Sequence, residues 1–332
     1  MMYYIESPGN DPHFNLALEQ YVFDQLDKDS EYFMLWQNDN AIIVGKHQNT
    51  VGEINAAFVK EHDISVVRRL SGGGAVYHDM GNLNFTFIVN AREDGAGFDF
   101  ASFCSPVAAA LASLGVAAEI NGRNDMTIGG KKFSGNSQYM KKGRVMHHGT
   151  IMYDCDLEVV SRALQVSGDK LESKGIQSVR SRVTNVKPHM PRPLPMEAFY
   201  KALREYMFQA YSLVPYRLTP EDLAAVKELQ SDVYDRWSWN YGASPAYSIH
   251  KERRVEGCGK LEVFLDVERQ GIIRDVAFYG DYFSGRDADG LIGALRGCAL
   301  EETALRLALE NVEVGEYFHG MDNETFLAIL TR

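Results

Sequence analysis

The chain has 332 residues, 45% of them hydrophobic, with 34 Lys and Arg against 45 Asp and Glu and a formal net charge of −11. That length predicts a large core and two domains. The acidity runs against an extended nucleic-acid surface, which shows as a basic stripe, and no apolar run approaches the roughly 18 residues of a membrane span.

Tyr3 to Ile5 reads as a short strand. A helix is predicted to start at Asp11-Pro12, with Phe14, Leu18, Tyr21, Val22 and Leu26 at helical spacing. Extended runs follow at Glu31–Trp36 and Ala41–Gly45, a helix at Ile54–His62 and a strand at Ile64–Arg68. Ser71-Gly72-Gly73-Gly74 makes a tight turn, and Leu83–Val89 is strand-like. Phe98 to Leu114 has a helical pattern closed by Gly115. Strands are predicted at Val116–Ile120, Met126–Ile128, Lys131–Tyr139 and Arg144–Met152, with Gly129-Gly130 as a hairpin turn. Leu157 to Leu164 reads as helix and Lys174 to Val186 as a polar loop. Helices are predicted at Met196–Tyr211 and Pro220–Leu229. Trp237 to Pro245, aromatic and then Gly/Pro-rich, reads as the domain boundary. Strands at Ala246–His250, Leu261–Asp266 and Ile272–Tyr279 and helices near Leu291–Arg296 and Glu301–Glu310 complete a small α+β tail. The expected division is therefore 1–244 and 245–332.

Four stretches can carry chemistry. In Arg68-Arg69-Leu70-Ser71-Gly72-Gly73-Gly74, three glycines after a strand let backbone N–H groups approach an anion, and Arg69 adds a charged fork. The bland reading is a surface loop, and neither a Walker loop nor a Rossmann fingerprint is present. The run from Arg123 to Arg144 holds six Lys and Arg and one acid, Asp125. Within it, Lys131 and Lys132 point to opposite faces of an extended chain, so only one can enter a pocket. The same alternation separates His147 from His148, which argues against a metal pair. A packed strand histidine beside the close-approach Gly149 fits better. Asn124 and Asp125 offer a ribose or metal contact or, equally well, a turn. Lys174, Arg180 and Arg182 sit in a polar loop able to close over a polyanion, or in an ordinary connection.

The wording and order of RRLSGGGAVYHDMGNLNFTF, GRNDM, GKKFSGNSQ, HHGT and KGIQSVRSRVTN resemble the lipoate–protein ligase family. The likeness runs from about Phe14 to Asn185, with FNLALEQ and VGKHQNT also in pattern. Longer members carry a small C-terminal domain, and the wider fold group includes biotin ligases and octanoyl transferases. The resemblance implies an α+β fold: a large N-terminal mixed β-sheet domain flanked by helices, plus a small α+β C-terminal domain.

It also implies the chemistry. ATP would convert lipoate to lipoyl-AMP, with Mg²⁺ neutralising the phosphates, and the lipoyl group would pass to a lysine of a carrier domain. Those carriers are E2 subunits of 2-oxoacid dehydrogenases and the glycine-cleavage H protein. Carried over by position, Arg69, Gly74, Ala75, Val76, Tyr77, Lys132, Lys174, Arg180 and Arg182 would serve ATP and the adenylate. Ser71, Gly72, Gly73, His78, His148 and Lys132 would serve lipoate, with Lys132 as the catalytic lysine. Leu70 departs from the small polar residue common in relatives. Val76, Phe85 and Phe87 are expected, from alternation, to line a tunnel for the acyl tail.

Two other readings remain at this point: a cysteine-dependent octanoyl transferase of the same fold, and a lipoate-binding module without activity. Cys104, Cys155, Cys258 and Cys298 are scattered with no C-x-x-C pair, as expected in a reducing cytosol; Cys104 and Cys155, the nearest candidates for a thioester, are expected to be buried and unreactive. Met1 to Asn10 lacks the pattern of a signal peptide. A cytoplasmic monomer, without nucleic-acid or membrane partners, is the expectation.

Overall fold

The computed structural model describes residues 1–91, 99–121, 124–164, 182–242, 249–268 and 271–331. They form two compact units. The first comprises Met1–Val44, Thr50–Arg69 and Ala75–Tyr241; the second comprises Gly45–Asn49, Leu70–Gly74 and Gly242–Arg332.

In the first unit the strands are β1 (Met2–Glu6), β2 (Glu31–Trp36), β3 (Ala41–Val44), β4 (Ser65–Arg68), β5 (Val76–His78), β6 (Asn82–Asn90), β7 (Glu119–Asn121), β8 (Asp125–Ile128), β9 (Lys131–Lys141), β10 (Arg144–Met152) and β11 (Val214–Pro215). Eight of them make a mixed sheet in the order β11-β1-β2-β6-β10-β9-β8-β7. β1 runs parallel to both its neighbours, and the pairs from β2 onward are antiparallel. β4-β3-β5 form a separate three-stranded sheet.

The central strand β6 shows why one face of the large sheet is oily and the other carries a buried polar patch beside Met34 and Ile88. Side chains alternate along a strand. Leu83, Phe85 and Phe87 enter a core with Phe33, Phe133, Cys104, Leu111, Phe199, Leu203 and Met207. Helix Met196–Tyr211 contributes Phe199, Leu203 and Met207, four residues apart, as one buried stripe. Each such side chain contributes about 1.5–3 kcal/mol on burial. Asn82, Asn84 and Thr86 point the other way and are equally buried, which is unusual for polar residues.

Helix Pro12–Asp24 starts where Asp11 accepts a hydrogen bond from the His13 N–H at 3.0 Å, with Pro12 at the first helical position. Pro220–Leu229 starts with a capping box between Thr219 and Asp222. Gly129 and Gly130 take φ of 55° and 77°, the left-handed geometry a tight β8–β9 hairpin demands. Most predicted elements appear within a few residues of their expected bounds. One stretch differs: Trp237–Asn240, read as boundary loop, is a short helix whose Asn240 is buried.

The second unit contains β12 (Ile249–Val255), β13 (Gly259–Val267) and β14 (Ile273–Gly280), an antiparallel sheet in that order. Helices Asp289–Leu295, Glu302–Ala308 and Asn323–Thr331 cover it. Leu261, Val263, Leu265, Phe278, Phe318 and Phe326 fill its core. Residues 246–248 of the predicted Ala246–His250 strand lie outside the described residues. β12 instead carries the charged run Lys251 to Arg254, as an edge strand can.

Candidate active site

The polar patch of the large sheet gathers around Glu19. This carboxylate is 1% exposed on a helix face that is oily apart from Asn15 one turn earlier. Thr86 Oγ1 donates to Glu19 Oε1 at 2.6 Å, and Trp36 Nε1 donates to Thr86 Oγ1 at 2.9 Å. His148 Nδ1 lies 3.1 and 3.2 Å from the two Glu19 oxygens. A carboxylate only accepts, so Nδ1 of His148 carries the proton. A buried charge needs such partners, and here they come from β6 and β10, with Trp36 of β2 fixing Thr86.

Arg69 leaves the end of β4, its N–H bonded to Val44 O at 3.0 Å and its Nη1 to Ile43 O at 3.1 Å. Burial pushes its guanidinium down to about 10, and the Glu19 charge works against that shift. It remains a cation at neutral pH. His78, from β5, is held neutral down to about pH 3, first by burial and then by the neighbouring Arg69 and His148. Glu19, Arg69, His78 and His148 thus form one electrostatic cluster of one anion, one arginine and two imidazoles.

Lys132 lies on β9. Its Nζ is 2.7 Å from Asp125 Oδ1 on the neighbouring β8. Its tip reaches over Gly135: a Cβ there would stand 2.9 Å from Nζ and 3.1 Å from Cε. Lys131 is exposed, so the two lysines divide as alternation predicts. The chain after the polar loop returns to this point. Thr184 N–H donates to Lys132 O at 2.9 Å, and Val183 makes a parallel bridge with Lys132. Arg182 is half-buried just before it; Lys174 and Arg180 lie outside the described residues.

His147 faces the opposite way from His148. It is fully buried, stacks on Phe103 at 4.7 Å and meets Gln138 Nε2 at 2.9 Å. Gly149 beside it admits no side chain, since a Cβ would stand 2.1 Å from Asn136 Oδ1 and 2.4 Å from Phe85 Cζ. Phe85 and Phe87 are 0% and 2% exposed in the closed core with the helices, on the face away from Glu19 and His148. Among the described residues they are core side chains, so the expectation that they line a tunnel gains no support there: the oily face of a central strand goes to the core. Val76 is half-buried at the start of β5, and Tyr77 donates to Asn40 Oδ1 at 3.0 Å.

Ser71, Gly72, Gly73 and Gly74 belong to the second unit. There Gly73 has φ 88° and donates to Tyr282 O at 3.3 Å. A Cβ on Gly72 would stand 2.2 Å from that same oxygen, so these glycines allow a close backbone approach.

Neither candidate nucleophilic thiol is poised. Cys104 is 1% exposed and burial pushes it up to about 12. Cys155 is driven well above its ordinary range by burial and then by Asp79. Among the described residues, the His250, Glu252 and Glu262 group has metal-like spacing, but Lys260 Nζ already lies 2.8 and 3.1 Å from the two carboxylates.

Sequence reasoning passed over Glu19, Trp36 and Thr86. The signals were there: Asn15 and Glu19, four apart on a buried helix face, and Asn82-x-Asn84-x-Thr86 alternating through a central strand.

Two family models match the chain. Residues 11–208 match the model of the lipoyl protein ligase A/B catalytic domain, and residues 244–330 match that of the bacterial lipoate protein ligase C-terminus. Lipoate-protein ligase LplJ of Bacillus subtilis is 42% identical over 325 residues, 97% of each chain. P. falciparum LipL1, solved with lipoate, superposes with a TM-score of 0.80 at 23% identity, covering 100% of this chain and 98% of that one, a likeness of fold. The structure of a bipartite lipoate protein ligase and its E2 lipoyl domain from Thermoplasma acidophilum matches with TM-score 0.62 and 26% identity, over 75% of this chain and 98% of that one. A lipoate-protein ligase A bound with ATP matches with TM-score 0.61 and 25% identity, over 73% and 98%.

Proposed function

This chain belongs to the lipoate–protein ligase family, and from that premise we propose that Lys132 and the Glu19 cluster form the site where lipoate is activated and passed on. The protein is an ATP-dependent lipoate–protein ligase. The finer assignment rests on one observation: the Lys132 ammonium sits over the single glycine Gly135 and is held by the Asp125 carboxylate.

A carboxylate and a triphosphate repel each other, so bringing them together needs fixed positive charge. Lys132 supplies it between the acyl carboxyl and the α-phosphate. One carboxyl oxygen attacks the α-phosphorus, the bond to the β-phosphate bridging oxygen breaks, and pyrophosphate leaves. Mg²⁺ brought in with ATP would neutralise the phosphates; Asp125, the candidate metal ligand, is paired with Lys132. The carrier lysine then attacks the acyl carbon, loses a proton, and AMP departs. No protein nucleophile is used, in keeping with the inert thiols.

Arg69 takes the nucleotide, as do Gly74 to Tyr77 and the Lys174, Arg180 and Arg182 loop by their place in the family pattern. His78 and His148 face lipoate. The acceptors are apo lipoyl domains of E2 subunits and the H protein, and the archaeal ligase solved with its E2 lipoyl domain supports that class. The test is AMP release from ATP and lipoate, with carrier mass followed in parallel. AMP together with a lipoyl mass increment on an apo lipoyl domain is expected. Carrier acylation without ATP consumption would overturn the reading.

A further inference from the structure

His78 has two ring nitrogens with very different surroundings. Nδ1 meets Asn38 Nδ2 at 3.1 Å. Nε2 is buried and, among the described residues, has no partner. The whole residue is 3% exposed. A stranded buried donor or acceptor is costly and uncommon, so this atom calls for something to meet it.

The neighbouring amides decide which it is. Asn15 Nδ2 lies 2.8 Å from the backbone oxygen of Gln37 and 3.3 Å from that of Gly9. Backbone oxygens only accept, so the orientation of the Asn15 amide is fixed. Ser7 donates to its other end, Oδ1. The same Asn15 Nδ2 reaches the Asn38 side chain at 2.9 Å, which must therefore present Oδ1 there. Asn38 then has only its NH₂ to offer His78, and Nδ1 must accept. Asn15 and Asn38 are 1% and 0% exposed, so water does not blur the sequence of roles.

We propose that the Ser7–Asn15–Asn38 relay locks His78 as the neutral Nε2–H tautomer, making that N–H a dedicated hydrogen-bond donor to an anionic oxygen of the bound substrates. The oxygen belongs to the lipoyl carboxyl or to the α-phosphate, both of which would meet the Arg69 side of the cluster. His78 binds and does not shuttle protons, since its one lone pair is occupied by Asn38. It is complementary to His148, whose proton is on Nδ1 against Glu19. Asn15 and Asn38 are positioning residues acting through His78. This rests on the site assignment made above, but the tautomer is a property of the resting protein.

Histidine-¹⁵N NMR of the full chain tests it. Without ligand, His78 should show a protonated Nε2 and an unprotonated Nδ1 from pH 6 to 8. Asn38→Asp keeps shape and the bond to Asn15, but its carboxylate only accepts, so it should move the proton to Nδ1 and lower kcat/KM for lipoate by about tenfold or more. His78→Gln, with an amide N–H at similar reach, should retain more activity than His78→Leu. Adding lipoate alone, a non-hydrolysable ATP analogue alone, or both should shift the Nε2–H resonance in at least one case, and which one names the oxygen. A resting Nδ1–H form or an imidazolium would overturn the relay. An unmoved Nε2–H in all three mixtures would overturn the donor role. A wild type that released no AMP would instead sink the site assignment, leaving the resting tautomer to be judged separately.

Discussion

Lys132 and Asp125 face each other on adjacent antiparallel strands with Nζ 2.7 Å from Oδ1, and their side chains are 37% and 39% exposed. A pair this open contributes little stability, because water screens it. Its value lies in holding the ammonium before substrates arrive. Lys132→Ala is therefore expected to lower adenylate formation by about 10²–10³-fold, the scale of losing one preorganised charge. Its unfolding free energy should stay within about 1 kcal/mol of wild type. Burst-phase AMP measurement beside urea unfolding checks both, and near-normal turnover would remove the lysine from the mechanism.

The cysteines give a second expectation. A thioester route needs a thiolate, and burial disfavours that form at both Cys104 and Cys155. Cys104→Ala and Cys155→Ala should keep ligase rates within about threefold of wild type, with any loss traceable to packing. Transfer from an acyl-carrier thioester that vanished in either variant would restore the transferase reading.

The buried imidazoles predict acid sensitivity. His78 stays neutral to about pH 3 when folded and titrates near 6.5 when unfolded. Between those values the unfolded chain binds a proton that the folded chain refuses, so stability is full above 6.5 and falls as pH drops. At pH 5 the loss from this one residue is about 2 kcal/mol. His147, shifted in the same direction by burial, adds to it. Urea unfolding of the first unit at pH 5 and pH 8 should show a gap that narrows by about 2 kcal/mol in His78→Gln. An unchanged gap would mean the folded imidazole accepts a proton after all.

Much of this was legible in the sequence where local rules act alone. Pro220 behind Thr219 and the apolar spacing from Met196 to Tyr211 set helix bounds that the fold kept. Alternation separated Lys132 from Lys131 only as one of two faces; the family pattern named Lys132, and Asp125 and Gly135 show what that side chain meets. Phe85 and Phe87 misled because periodicity says which residues share a side, not which side is closed. Glu19 was hidden for a related reason: a single acid in an oily stripe reads as a boundary of the stripe until His148, Thr86 and Arg69 arrive from distant parts of the chain. The SWN stretch looked like linker because its partners lie some 170 residues earlier in sequence.

Those partners give the last expectation. β4 is the edge of its small sheet, and its final residue is closed off by side chains acting as a neighbouring strand would. Arg68 N–H donates to Asn240 Oδ1 at 3.0 Å, and Trp239 Nε1 donates to Arg68 O at 2.9 Å. Arg68 Nε reaches Trp239 O at 2.9 Å and its Nη2 reaches Thr50 Oγ1 at 2.6 Å, while Thr50 donates to Asn240 O at 2.6 Å. Asn240 Nδ2 in turn donates to Tyr234 O at 2.6 Å. Arg69 follows directly, so the clamp fixes the strand end from which that side chain departs. Asn240→Ala removes the acceptor of the Arg68 N–H and one of the two partners of Tyr234 O, which His13 Nδ1 also meets at 2.7 Å, and should cost roughly 1–3 kcal/mol. Trp239→Phe keeps the ring and loses one bond, and should cost about 1–2 kcal/mol. If the clamp aims Arg69, Trp239→Phe should also raise KM for ATP severalfold more than KM for lipoate. Equal changes in the two would leave the clamp a purely structural fastening.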